Sequence, residues 1–254
     1  MTSKLQLKAV SKGFKRHTPD AFTALDQINL DIADGDFITL VGGNGAGKST
    51  LLNSIAGHFP IDSGDIYLDG ESISHLDEEE RAAFVGRVFQ NPAMGTAPRM
   101  TVAENLALAK RRGHKRRLRR SVKEDDRQEF AEMLSRLNLG LEDRLDTEIG
   151  SLSGGQRQTI SLLMATINRP EILLLDEHTA ALDPKTSKLI LELTNQIVRN
   201  DKLSTLMITH NLQDAIDYGN RILVLSHGSI LYDIKQEDKA NLTAIQLYQL
   251  MEGV

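Results

Sequence analysis

Gly42-Gly43-Asn44-Gly45-Ala46-Gly47-Lys48-Ser49-Thr50 is the stretch that decides how this chain is read. It follows the apolar run Phe37–Val41 (FITLV) and precedes LLNSIAG, so a Gly-rich loop joins a buried-type strand to a helix starting near Lys48. The stretch fits G-x-x-x-x-G-K-[ST] in the strand–loop–helix setting that this pattern needs. Glycines let backbone N–H groups turn inward around phosphate oxygens with no Cβ in the way. The helix N-terminus adds partial positive charge. Lys48 then reaches the β- and γ-phosphates as a mobile point charge, and the Ser49 hydroxyl ligates Mg²⁺. The expected ligands are ATP and Mg²⁺.

Two further stretches belong with the first. Ile172-Leu173-Leu174-Leu175-Asp176-Glu177 is an apolar strand ending in two carboxylates. At the C-terminal end of a parallel strand they face the crevice where ligands sit. Asp176 is expected to hold Mg²⁺ through water, and Glu177 to orient or deprotonate an attacking water. Leu152-Ser153-Gly154-Gly155-Gln156 precedes the helical stretch RQTISLLMATI. Ser153 reads as its N-cap, and Gly154 and Gly155 leave backbone amides open, which makes a second anion-binding helix start. One nucleotide does not need two such cradles.

Strand-like runs at Leu5–Val10, Ile28–Ile32, Ile66–Leu68, Val85–Phe89, Leu206–Thr209 and Ile222–Leu225 flank these motifs. Helices are predicted at Asp77–Phe84, after the capping box Thr101-x-x-Glu104, at Glu124–Leu137, at Pro184–Val198 and at Leu212–Tyr218. The alternation implies an α/β fold with a parallel sheet covered on both faces. A mostly helical subdomain is expected at 91–160, inserted in a core made of 1–90 and 161–254. The 254 residues carry a net charge of −5, which argues against a general nucleic-acid binder. Cysteine is absent, so disulfides and thiolate metal sites are excluded. No apolar run is long enough to span a bilayer.

In order and spacing, the three motifs resemble the ABC-type ATPases, whose signature is LSGGQ. The resemblance covers essentially the whole chain. It implies a P-loop NTPase core, an N-terminal antiparallel β subdomain and the inserted helical subdomain. Further positions match: Gln90 as the glutamine that contacts Mg²⁺ and water and hinges to the transporter, and His210 as the switch histidine. Ala181-Leu182-Asp183 matches the loop at the dimer interface, and Phe14 the aromatic that stacks on adenine. The resemblance implies a head-to-tail dimer, each ATP lying between the Lys48 loop of one copy and Ser153–Gln156 of the other.

GGNGAGKSTLLN, MGTAPRMTVAENLALA and DEHTAALDPKT further resemble a bacterial subgroup paired with a permease and a lipoprotein binding protein. That resemblance implies an importer subunit at the cytoplasmic face of the membrane, acting on amino acids including aromatic ones. A soluble ATPase of the iron–sulfur assembly type and an exporter subunit are the alternatives. The chain departs from the family at His178, where Pro is usual. His178 is read either as a tolerated surface change or as a group making hydrolysis pH-sensitive. The basic run 110–120 reads as a solvated loop or as an attraction to anionic lipid or an acidic partner.

Overall fold

A computed structural model describes residues 3–15, 18–113 and 122–253. The chain opens with β1 (Ser3–Phe14), β2 (Phe22–Ala33), β3 (Phe37–Gly42) and α1 (Lys48–Ala56). Next come β4 (Ser63–Leu68), β5 (Glu71–Ser72), α2 (Glu78–Arg81), β6 (Val85–Val88), α3 (Val102–Lys110), α4 (Glu124–Ser135) and α5 (Gly154–Thr166). The chain then runs through β7 (Ile172–Asp176), α6 (Pro184–Asp201), β8 (Ser204–Ile208), α7 (Leu212–Asp217), β9 (Arg221–Ser226), β10 (Ser229–Lys235), α8 (Gln236–Lys239) and α9 (Ala244–Glu252).

Two sheets form. One is antiparallel, in the order β2-β1-β4-β5. The other runs β10-β9-β3-β8-β7-β6 and is parallel from β9 to β6, with β10 pairing antiparallel on its edge. All six residues of β3 and all five of β8 are buried, which is why FITLV and STLMI are continuous apolar runs broken only by Ser and Thr.

The sheet's period of two divides the core. Ile172 and Leu174 join Ile38, Leu40, Leu51 and Ile55 between the parallel sheet, α1 and the antiparallel sheet. Leu173 and Leu175 point the other way, into Leu162 of α5 and Leu191 and Val198 of α6. A separate core ties the helical region together, with Leu106, Phe130, Leu134, Ile160 and Leu163 buried against each other. Val41, Ala215, Val224 and Leu247 form a fourth cluster under α7 and α9.

Some elements differ from the sequence reading. The helix expected over Asp77–Phe84 is a single turn: Asp77 and Glu80 close a capping box at its start, and Ala82 ends it. The sequence reading contained neither β10 nor α9. His227 (φ 46°) and Gly228 (φ 79°) are both left-handed, as a two-residue hairpin turn requires, so the chain after β9 folds straight back. Thr243 and Gln246 form a capping box that starts α9.

Candidate active site

The loop from β3 to α1 is shaped by contacts at its two ends. A Cβ on Gly42 would lie 2.3 Å from the Leu225 carbonyl oxygen of β9. A Cβ on Gly47 would lie 2.4 Å from the Ala24 carbonyl oxygen of β2, and Gly47 sits at φ 104°. The Gly228 N–H donates to the Ala46 carbonyl at 3.0 Å, and the Asp26 N–H donates to the Gly228 carbonyl at 2.8 Å. Strand β2 and the β9–β10 turn thus hold the loop from outside. Gly43, Asn44 and Gly45 are exposed between these anchors. Gly47 precedes Lys48 at the start of α1, and no side chain caps this helix. Its first N–H groups are left open to an anion.

The Lys48 ammonium is buried and donates to the Gly42 and Gly43 carbonyl oxygens at 2.8 and 3.0 Å. Burial pushes its pKa down, against the opposing pull of Glu177 and Asp176. Ser49 is exposed in the first turn of α1, and Thr50 is half-buried beside it.

Asp176 and Glu177 stand at the C-terminal end of β7, next to β8 and one strand from β3. Burial raises the Asp176 pKa; Glu177 adds to the rise, and Arg87 and Lys48 oppose it. Glu177 takes a left-handed φ of 46°, and its N–H donates to the Ile208 carbonyl at 3.2 Å. This turn aims its side chain at His210, which lies just past β8. The His210 Nε2 is 2.5 Å from Glu177 Oε1. Both residues line a cavity of about 550 Å³ that continues between α6 and α7 past Ser187, Asp214 and Tyr218.

Arg87 is a site residue that sequence reasoning missed. Its Nη2 donates to Asn53 Oδ1 of α1 at 2.6 Å and lies 3.6 Å from Asp176 Oδ2. Only strand pairing puts it there: β6 lies beside β7 with Arg87 opposite Leu174.

Ser153 caps α5: its Oγ accepts from the Gln156 N–H at 3.3 Å, and Gln156 Oε1 accepts from the Ser153 N–H at 3.2 Å. Gly154 and Gly155 form the first turn of α5 and face Leu182 and Thr186 at the start of α6. Asp183 caps α6, accepting from the Thr186 N–H at 3.1 Å. These hydrogen bonds from Thr186 hold the Asp183 carboxyl below its ordinary range. Gln90 is exposed after β6, and the preceding Phe89 carbonyl accepts from Gln158 of α5 at 3.2 Å. Phe14, at the end of β1, joins an aromatic cluster. Its ring centroid is 5.6 Å from that of Phe22 and 5.3 Å from that of Phe59, with Lys12 above Phe14 and Phe59.

The structure therefore brings Lys48, Asp176, Glu177 and His210 to one end of the parallel sheet, and sets Ser153–Gln156 with Leu182 and Thr186. His178 is not a surface residue. It is 2% exposed, and its Nε2 lies 3.1 Å from Thr194 Oγ1 of α6. Burial pushes its pKa down to about 4, so the ring is neutral at neutral pH and not poised to switch there.

No cluster of three or more His, Asp or Glu suited to a metal occurs among the described residues. Mg²⁺ does not require one. It takes hard oxygen donors, often one or two carboxylates beside substrate phosphates. The Ser49 hydroxyl, the Asp176 carboxylate and the Gln90 amide oxygen are such donors, so this residue set fits Mg²⁺.

The ABC transporter family matches residues 25–180. The chain is 44% identical over 248 residues to a tyrosine transport ATP-binding protein of Clostridioides difficile, covering 98% of each. It is 34% identical to a spermidine/putrescine import ATP-binding protein of Haemophilus influenzae, covering 94% of this chain and 60% of that longer one. Among solved structures, a dimeric ATP-binding cassette in a post-hydrolysis state bound to ADP and Pi superposes with TM-score 0.78 at 30% identity. The match covers 91% of this chain and 98% of that one. An ABC transporter cassette in its ADP conformation gives TM-score 0.80 at 26% identity over the whole of both chains. A family match spanning most of the chain, a relative alike over nearly its full length, and a cassette fold with Lys48, Asp176, Glu177 and His210 at one sheet end agree: this chain belongs to the ABC transporter family, as an ATP-binding and ATP-hydrolysing transport subunit.

Proposed function

We propose that this chain powers an amino-acid importer, working as a head-to-tail dimer on separate permease subunits at the cytoplasmic face of the membrane. The contact between Glu177 and His210 at the ends of adjacent strands carries the catalytic reading. Glu177 orients and deprotonates the attacking water, and His210 holds Glu177 and the γ-phosphate side in register. Gly42 to Gly47 offer backbone N–H groups to the phosphates, Lys48 neutralises their charge, and Ser49 and Thr50 close the helix end. Phe14 stacks on the base. Ser49, Asp176 and Gln90 would hold Mg²⁺, which would supply charge neutralisation at the phosphates. Ser153 to Gln156 meet the nucleotide held by the other copy, and Asp183 lies at the interface between copies. In this reading the helical subdomain is 91–160 and the core is 1–90 with 161–254. Rate comes from positioning and charge stabilisation.

The likeness to the tyrosine transport relative supports aromatic amino acids as the permease's cargo. In this proposal an extracytoplasmic binding protein delivers them. The test has two parts. Glu177→Gln should lose ATP turnover and form an ATP-dependent dimer in gel filtration; a variant that stays monomeric while turning over ATP would refute the dimer mechanism. Reconstituted with its permease and binding protein, the wild type should hydrolyse ATP faster with tyrosine than with spermidine. Stimulation by spermidine alone would reject the cargo.

A further inference from the structure

We infer that His178 is a positioning residue for Glu177, fixing the catalytic carboxylate to helix α6 through Thr194. The inference rests on the reading of Glu177 given above. The Thr194 hydroxyl donates to the Ile190 carbonyl at 2.7 Å, which commits its proton. The remaining contact, at 3.1 Å to His178 Nε2, therefore has the imidazole as donor and Thr194 Oγ1 as acceptor. Both residues are almost wholly buried, so water cannot replace either partner.

The position of this bond gives it consequence. Glu177 is held at a left-handed φ that a non-glycine residue adopts only under restraint. On its N-terminal side the restraint is β7 itself, with the Glu177 N–H bonded to Ile208. On its C-terminal side the next residue is His178, bonded to α6. One residue further on, the Thr179 carbonyl accepts from Ser187 Oγ of α6 at 3.0 Å. Ser187 and Thr194 are seven residues apart, two turns along one face of the helix. The segment carrying Glu177 is therefore clipped twice to α6, whose N-cap is Asp183. Loosening the His178 clip frees the peptide next to Glu177 without touching its carboxylate or His210.

The test is ATPase kinetics on Thr194→Val and Thr194→Ser, with MANT-ATP binding and thermal unfolding measured on the same preparations. Thr194→Val keeps the shape and removes the acceptor; Thr194→Ser keeps the acceptor. Thr194→Val should lower kcat about tenfold, well below its unfolding temperature, with MANT-ATP affinity and the KM for ATP unchanged. Thr194→Ser should restore kcat. His178→Ala should also lower kcat, and the double variant His178→Ala/Thr194→Val should lose no more than the worse single one. Wild-type kcat in Thr194→Val, or equal losses in Val and Ser, would overturn the inference. Glu177→Gln is run alongside. If it lacks turnover while Thr194→Val is normal, only the positioning role falls; if it turns over normally, the reading of Glu177 falls as well.

Discussion

Replacing Gly47 by Ala should damage the fold before any ligand is involved, and the loss can be worked from two observations. The residue lies at φ 104°, ψ 2°, outside the regions open to L side chains, a strain of about 1–3 kcal/mol. The new Cβ would also stand 2.4 Å from the Ala24 carbonyl oxygen, where a C···O contact needs about 3.3 Å. Strand β2 would have to yield by about 0.9 Å, and overpacking of this kind costs about 1–3 kcal/mol more. The expected loss is about 2–6 kcal/mol, read as a lower urea midpoint of the nucleotide-free protein. Two neighbours act as internal controls. Gly45, at φ 78° with open space around it, should lose only the strain part on conversion to Ala, about 1–2 kcal/mol. Gly43, also in open space and without a left-handed φ, should change stability by less than about 0.5 kcal/mol while its Ala variant binds ATP more weakly. Equal urea midpoints for the Gly47 and Gly43 variants would refute the argument that contact with β2 shapes the loop.

Lys239 offers a pH test. It is buried with its ammonium on the Tyr218 and Gly219 carbonyl oxygens, and burial pushes its pKa down to about 8 from the ordinary 10.5. Between those values the native chain gives up a proton that the unfolded chain keeps, so this group makes stability rise with pH, by on the order of 3 kcal/mol in full. Urea midpoints of wild type relative to Lys239→Met should climb from pH 8 to pH 10; a flat difference would contradict the burial argument. The basic run divides into two parts. Lys110 is held by Asp126 and Glu129 at 2.8 and 2.6 Å, and the half-buried Arg112 donates from its guanidinium to the Met164 carbonyl at 3.2 Å. Arg112→Gln should therefore cost about 1–3 kcal/mol of stability without changing binding to anionic liposomes. The rest of the run, 114–120, lies outside the described residues; neutralising Arg116, Arg117, Arg119 and Arg120 should weaken binding to anionic liposomes, and unchanged binding would reject lipid attraction by the run.

The phosphate loop, the end of β7 and the cap of α5 were legible because each is a local device. A tight loop needs glycine where backbones touch, a buried parallel strand needs four apolar residues in a row, and a helix start needs Ser three residues before Gln. These demands act within nine residues or fewer, so they survive in the linear chain. The features that sequence reading missed depend on distance. Arg87 matters because β6 pairs with β7, which is more than eighty residues later in the chain, and nothing near Arg87 announces Asp176. The support of the loop by Ala24, Leu225 and Gly228 is likewise an outcome of packing between three strands.

His178 shows the same limit most sharply. In sequence it follows two exposed-looking carboxylates and precedes a polar turn, so it reads as a surface position. The left-handed turn at Glu177 reverses that expectation by rotating the next side chain inward, under α6. Its partner Thr194 sits on a helix face that already buries Ile190, Leu191 and Val198, where a hydroxyl looks like a routine bond back to the preceding turn. That bond is present, and it is what makes the hydroxyl an acceptor for His178. A residue whose sequence context suggests exposure, and another whose context suggests a purely local role, become one buried pair next to the proposed base. The motif names the carboxylate; what holds it in place is decided by a helix that begins seven residues later.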